Sequence, residues 1–320
     1  VDGTLSQGNG EQAGIVVRDV RGVVQKCSAS VVGIVTESYQ SFSQTSAGSG
    51  FIISENGYIV TNNHVISGGD SITVVLENGD SYVAYVIGTD EITDIAVLKI
   101  EADDLTAIEL GDSDTVEVGE AAVAIGNPTG QLMGTVTTGV ISGVNRNIMV
   151  DNNIMTLLQT DAAINAGNSG GALLNVNGEV IGINSRKTSG STSSGSTIEG
   201  IGFAIPINDV KDIVEELIAT GKITRPGLGI TGQEVHFSNM DPGILVVSVN
   251  EGSPAEAAGM KQMDIITAID GQQVTSFSSL QSVLYSHDVG DTVTITVLRS
   301  GETLDLQVTL AEVEESGTRE

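Results

Sequence analysis

The chain has 320 residues, 40% of them hydrophobic and 17% charged, with a mean hydropathy of +0.15, which excludes a disordered chain and leaves room for two or three compact domains. A net charge of −28 repels phosphate backbones and anionic lipid and so argues against nucleic acid or a membrane surface as partner. Cys27 is the one cysteine, so no intramolecular disulfide can form, and no apolar run reaches the roughly 18 residues of a membrane-spanning helix.

Residues 1–22 begin VDGTLSQGNGEQ, polar and Gly-rich without an initiator Met, and read as a stub left after removal of a signal or anchor. From Val31 to about Ile205 the pattern is one of short β-rich runs broken by Gly, Asn and Asp: SVVGIV, GSGFIISENGYIVTNNHVI, SITVVLENGDSYVAYVIGTD, DIAVLKI, GEAAVAIG, TTGVISGV, EVIGINS and GIGFAIP. Asn-Gly pairs in ENG and VNGE mark hairpin turns, because such turns need positive φ. Many short strands with no long helix between them predict an all-β barrel or sandwich. SGSTSSGST (189–197) is low-complexity and reads as a mobile surface loop.

At INDVKDIVEELIATG the period changes. Val210, Ile213, Val214, Leu217 and Ile218 share one helical face, and Gly221 stands where a helix stops. This helix ends a first unit, 23–221, and KITRP provides a link over 222–226. Residues 227–320 then read as an α+β unit, with a short helix in SPAEAAG capped by Ser253, opened by Pro254 and stopped by Gly259, and a second helix through SSLQSVLYSH.

A nucleophilic serine needs a base, a group that orients the base, and donors for the developing oxyanion. GNSGG at 167–171 offers Ser169 with the N–H groups of Gly167 and Ser169 as donors, although alone the pentapeptide reads more readily as a turn. Of the three histidines, His236 and His287 sit among surface-type residues, whereas His64 follows a β-run in IVTNNHVIS. Asp94 opens the apolar DIAVLKI, 30 residues after His64 and 75 before Ser169; Asp90, Asp103 and Asp104 have no such strand directly behind them. Cys27 reads as a buried apolar residue.

The order His, Asp, Ser is the one used on double β-barrels. TNNHV, DIAVL and GNSGG resemble the three catalytic segments of chymotrypsin-like serine proteases, and RPGLGI, GSPAEAAGMKQMDIITAIDGQQV and SSLQSVL resemble a PDZ domain. Over about residues 20–315 the chain therefore resembles the HtrA/Deg family with one PDZ domain.

The resemblance implies a mainly β fold, a chymotrypsin-like double six-stranded β-barrel followed by an α+β PDZ domain. It implies an endopeptidase of protein quality control or stress response, without metal or cofactor, acting on unfolded or misfolded extracytoplasmic segments in the periplasm or at the cell surface. An N-terminal membrane anchor and a homotrimer belong to the same expectation. Ser169 would attack the scissile carbonyl, His64 would carry the proton and Asp94 would hold the imidazole. The floor of the S1 pocket would fall at Ala163, Ile164 and Asn165. With no carboxylate at Ala163, small or medium aliphatic P1 residues are expected, with Arg186 and Lys187 as cations that a pocket rim could carry. Gly227, Leu228, Gly229 and Ile230 would grip a peptide C-terminus. Asn168 before the nucleophile cannot form the ion pair by which pancreatic-type proteases are switched on, so activation should come from loop rearrangement.

Two other classes remain at this point. A peptide-binding module with a silent protease half would keep the second unit's chemistry alone. An acyl hydrolase would share the triad logic, but it calls for GxSxG in an α/β setting and the order Ser, Asp, His, which this chain does not show.

Overall fold

The computed structural model describes residues 20–38, 44–127, 134–150, 153–165, 167–187, 200–237 and 240–312. The N-terminal stub through residue 19, the stretch 189–197 and the side chains of Arg186 and Lys187 lie outside the described residues.

After a short helix α1 (Arg21–Cys27), six strands close a barrel: β1 (Val31–Ser38), β2 (Gln44–Ile52), β3 (Tyr58–Asn62), β4 (Ser71–Val75), β5 (Ser81–Asp90) and β6 (Ile95–Ile100), in the order β1-β2-β3-β6-β5-β4. Helix α2 (Asn63–Ile66) interrupts the run after β3. With no Trp available, the interior is aliphatic apart from Phe51, with Ile34, Ile59, Val74, Leu98 and Ile100 fully buried. Strand β4 alternates buried and half-buried residues, as a barrel wall with one dry face requires. The expected turns at Gly57, Gly79 and Gly178 have φ of +95°, +88° and +76°.

A second set follows: β7 (Glu109–Leu110), β8 (Ala121–Gly126), β9 (Thr135–Val150), β10 (Asn153–Thr160), β11 (Ala172–Leu174), β12 (Glu179–Lys187) and β13 (Gly202–Pro206). Their order is β11-β8-β9-β10-β13-β12-β7, and β11 also pairs with β12. Six of the strands therefore form a ring, with β7 attached to the outside of β12, and the double six-stranded barrel expected from the sequence is present. Its core is small and aliphatic, with Ala122, Ala124, Ile141, Leu158, Leu173, Ile181 and Ala204 in one cluster.

Helix α3 (Ile207–Thr220) buries Val210, Val214 and Leu217 and stops at Gly221, whose φ is +79° and whose N–H returns to the Leu217 carbonyl. Beyond it lie β14 (Pro226–Gly227), β15 (Ile230–Phe237), β16 (Met240–Val249), α4 (Pro254–Ala257), β17 (Ile265–Ile269), β18 (Gln272–Gln273), α5 (Phe277–Leu284), β19 (Thr292–Arg299), β20 (Glu302–Thr309) and β21 (Ala311–Glu312). The main sheet runs β15-β16-β17-β19-β20, with β18 on β17 and a separate β14–β21 pair. Both expected helices are present. Ser253 caps α4 by accepting from Glu256 N–H, and Ser276 with Ser279 forms a capping box on α5. Inside this part Arg299 holds the buried Asp264 through Nε and a terminal nitrogen, each at 2.7 Å.

By internal packing the chain divides into two compact units. One comprises the described residues of 1–85 with 98–144 and 158–208, the other 86–97 with 145–157 and those of 209–320.

Candidate active site

Strand β3 ends at Asn62 and the chain turns at once into α2, with His64 exposed in its first turn. Ser169 lies in the turn before β11 and is buried. The glycines around it decide where it sits. Gly170 takes φ +81°, and a Cβ there would run into the Ser49 carbonyl and the Thr61 hydroxyl and lie 3.2 Å from Asn62 N. A Cβ on Gly171 would strike the Ile125 carbonyl. Only bare backbone passes this close, so Gly170 seats the serine against the corner that leads into α2, while Gly171 lies against β8. Gly48 does the same from the other side. Its missing Cβ would lie 2.7 Å from Val65 of α2 and 3.2 Å from the Ser169 carbonyl, and Ser49 N–H donates to that carbonyl at 2.8 Å.

Asp94 occupies the corner between β5 and β6, buried and at φ +59°, a left-handed conformation that is uncommon outside glycine. The strand it opens, β6, is the barrel neighbour of β3.

The loop before Ser169 is held by its own side chain. Asn168 is buried; its Nδ2 donates to the Ala163 carbonyl at 2.9 Å, and its Oδ1 accepts from Asn165 N–H at 2.8 Å. A neutral amide, which can donate and accept at once, therefore closes the loop 163–168 without an ion pair. Sequence reasoning found only what Asn168 cannot do. A second residue it passed over is Ser49, whose buried Oγ donates to the Gly167 carbonyl and accepts from Asn127 N–H, both at 2.7 Å. A serine between two glycines inside a strand (GSG) was the available signal.

Ser169 Oγ lies 3.1 Å from the Ser185 carbonyl and 3.3 Å from the Asn165 carbonyl. The Asn165 carbonyl also accepts the N–H of Asn168 at 3.0 Å and of Ser169 at 3.2 Å. Of the two expected oxyanion donors, the Ser169 N–H is thus engaged within the loop, while the Gly167 N–H has no hydrogen-bond partner among the described residues.

Replacing Asn168 by Ala would remove both side-chain bonds that tie Ala163 and Asn165 to the turn, leaving the Ala163 carbonyl only the Thr137 hydroxyl. We expect kcat/KM on a chromogenic peptide to fall about a hundredfold, the scale of a lost oxyanion donor, with binding of a C-terminal peptide unchanged. A variant within about threefold of wild type would remove Asn168 from this role.

Residues 48–183 match the trypsin-like peptidase domain family and residues 226–310 the PDZ domain family. The chain is 47% identical over 283 residues to a Do-like serine protease HtrA of Lactobacillus helveticus, covering 83% of this chain and 68% of that protein. It is 39% identical over 331 residues to a Do-like serine protease HtrA of Bacillus subtilis, with 92% and 73% coverage. The chain belongs to the HtrA/Deg family of serine proteases. A DegP-like periplasmic serine endoprotease of Chlamydia trachomatis is 44% identical over 273 residues, covering 83% of this chain and 54% of that one. Among solved structures, the HtrA-type protease AlgW with a decapeptide superposes with a TM-score of 0.73 at 32% identity, covering 93% and 99%. The serine endoprotease of Yersinia pestis gives 0.71 at 36%, covering 93% and 100%.

In this HtrA/Deg chain a cavity of about 80 Å³ is lined by residues 161–165 and 200–202, and so includes all three residues expected at the S1 pocket, Ala163, Ile164 and Asn165. Ile164 is buried, and its Cγ1 lies 2.5 Å from where a Cβ on Gly202 would stand, so the isoleucine fills the space that the glycine leaves. Asp161 also lines the cavity, a carboxylate that sequence reasoning did not place there. Its Oδ1 accepts from Val140 N–H at 2.7 Å.

Within the PDZ part, Gly227 pairs with Ala311, Leu228 is buried and Gly229 has φ +70°. A Cβ on Gly229 would lie 2.5 Å from Ser253 Cβ. The Leu228 and Gly229 carbonyls accept from Ala255 N–H and Asn250 N–H, each at 3.0 Å. The N–H groups of Leu228 and Gly229 have no hydrogen-bond partner among the described residues, the arrangement an incoming carboxylate would use.

Asp90, which sequence reasoning set aside, is buried and takes Arg225 bidentately at 2.7 and 2.6 Å. It also accepts from Ile92 N–H, Thr93 N–H and Thr93 Oγ1, which shapes the turn that leads to Asp94. The Arg225 guanidinium lies 5.3 Å from the Tyr285 ring centroid. Burial alone would push the Asp90 carboxyl up, but the hydrogen bonds and charge of Arg225 outweigh it and hold the group below its ordinary value. Cys27 is buried with its Sγ 3.3 Å from the Gly178 carbonyl, and burial raises its thiol pKa. That leaves it a packing residue. No group of three or more His, Cys, Asp or Glu among the described residues could hold a metal ion, and none of their helices is long and apolar enough to cross a membrane.

Proposed function

We propose that this chain is an extracytoplasmic serine endopeptidase of protein quality control, in which Ser169 attacks, His64 carries the proton and Asp94 orients the imidazole. The observation that carries the reading is the seating of Ser169 by Gly170 against the corner that leads into the His64 helix. The Ser169 Oγ bonds to the scissile carbonyl carbon as its proton passes to His64. The C–N bond then breaks, with that proton delivered to the leaving amine. Water next hydrolyses the ester by the same route in reverse. For the oxyanion to meet two donors, the Ser169 N–H has to leave the Asn165 carbonyl, so the loop 163–168 rearranges on activation. The periplasmic name of the chlamydial relative supports the extracytoplasmic setting, and the peptide-bound AlgW structure supports unfolded segments and C-terminal peptides as ligands. Assembly as a homotrimer and recruitment or activation through the PDZ loop belong to the same proposal.

The test is to treat the folded chain with a fluorophosphonate and map the adduct, alongside digestion of unfolded casein with and without apolar C-terminal peptides. An adduct on Ser169 that tracks the loss of casein cleavage is the expected result. No adduct and no cleavage under any condition, with peptide binding intact, would leave a binding module instead.

The Ile164–Gly202 packing also sets the expected specificity. Wild type should favour Val or Ala at P1. Ile164→Ala should raise kcat/KM for Leu or Met at P1 about tenfold relative to Val, because each buried methylene in such a pocket discriminates by about 1–3 kcal/mol. A P1 library dominated by Lys or Arg would point to Asp161 and overturn this account.

A further inference from the structure

In the PDZ part, β15 is an edge strand whose one neighbour among the described residues is β16, which leaves its other side open to an added strand. Side chains at 230, 232 and 234 share one face of the strand by its two-residue period. That face looks at α5: a Cβ on Gly232 would lie 3.2 Å from Phe277 Cζ, and Glu234 Oε1 accepts from Phe277 N–H at 2.7 Å. Glu234 thus supplies a partner for the first N–H of α5, one of the donors every helix leaves unpaired. Its other oxygen takes no hydrogen bond among the described residues. Over Ile230–Val235 (ITGQEV) and Phe277–Leu284 (FSSLQSVL), Glu234 is the sole formal charge on either wall.

We infer that Glu234 selects bound C-terminal peptides carrying Lys or Arg four residues before the terminal one. This rests on reading Gly227–Ile230 as the carboxylate-binding loop. A peptide whose carboxylate sits at that loop and whose chain runs antiparallel to β15 places its last residue beside Ile230. The residue two earlier then faces Gly232, and the residue four earlier faces Glu234. The helix end holds one oxygen of the exposed Glu234 carboxylate in place, so a cation on the peptide meets a fixed, preorganised partner. An acidic residue there meets like charge.

The experiment is a fluorescence anisotropy titration with the full chain carrying Ser169→Ala, to prevent cleavage. Labelled apolar heptapeptides ending in a free Val carboxylate would carry Lys, Gln or Glu at that position. The Lys peptide should bind about three- to tenfold tighter than the Glu peptide, the scale of an exposed ion pair gained against a like-charge pair. Glu234→Gln keeps an acceptor for Phe277 N–H while removing the charge, and should bring the ratio under about twofold. Moving Lys two residues further from the terminus should do the same. Lys, Gln and Glu peptides binding alike to wild type would overturn the inference, as would a Lys preference that survives Glu234→Gln, which would belong to the net charge of −28 instead. Peptides amidated at the C-terminus report on the loop itself. If they bind as tightly as the free acids, the carboxylate-loop reading fails, while the Lys-to-Glu ratio still reads Glu234.

Discussion

Ser169→Ala is expected to lower kcat/KM on unfolded casein about ten-thousand-fold or more, because removing the nucleophile removes the acyl-enzyme route and leaves binding and oxyanion donors alone. The substitution deletes one oxygen whose hydrogen bonds run to the Ser185 and Asn165 carbonyls. The Asn165 carbonyl keeps the N–H groups of Asn168 and Ser169, so folding should survive, and an unchanged circular dichroism spectrum and melting transition would separate chemistry from stability. Asp94→Asn should cost a similar factor if Asp94 fixes the tautomer of His64. Triad members act as a unit, so Ser169→Ala combined with Asp94→Asn should be little worse than Ser169→Ala alone. Cleavage by Ser169→Ala within about tenfold of wild type, in preparations cleared of contaminating protease, would remove Ser169 from the role. The acyl hydrolase reading predicts equal loss on small esters, but it does not predict turnover of casein by wild type.

Asp90→Ala should strongly destabilise the second of the two compact units. The carboxylate and Arg225 side chain are 4% and 17% exposed, and removing one member of a buried pair leaves the other desolvated at a cost of about 3–5 kcal/mol. In calorimetry the transition of the C-terminal unit should fall by about 10 °C or more. Its pH dependence follows from the lowered carboxyl pKa. The charged form is favoured in the folded state, so its contribution is fully present above the unfolded value near 4 and is lost as pH falls through the lower folded value. The gap between wild type and Asp90→Ala should therefore be flat from about pH 5 to 8 and narrow below about pH 4. A gap that widens on acidification would mean that Asp90 is not the charged partner of Arg225.

Much of this protein could be read from local signals. Strand runs, the 3.6-residue face of α3 with its stop at Gly221, and the Ser253 cap depend on neighbours a few residues apart, and all appear in the structure. Helix α1 was not foreseen, since RGVVQKC is short and carries no capping signal of its own. Ser169, His64 and Asp94 could be named from residue type, order and a strand or glycine beside each, and the two halves resembled one family independently.

What remained hidden involves partners far apart in the chain. Ser49 meets the Gly167 carbonyl across 118 positions, Arg225 meets Asp90 across 135, and Glu234 meets Phe277 N–H across 43. The engagement of Ser169 N–H by Asn165 is local in sequence, but it depends on a loop conformation that several sequences could share. By itself, then, the sequence determined the fold and the family and named the candidate reactive residues, because periodicity and residue chemistry are written locally. Only the tertiary structure decided which backbone donors are occupied, which residues line the cavity beside Ile164 and which charges meet, because those depend on distances that the closed barrels and the edge of β15 create.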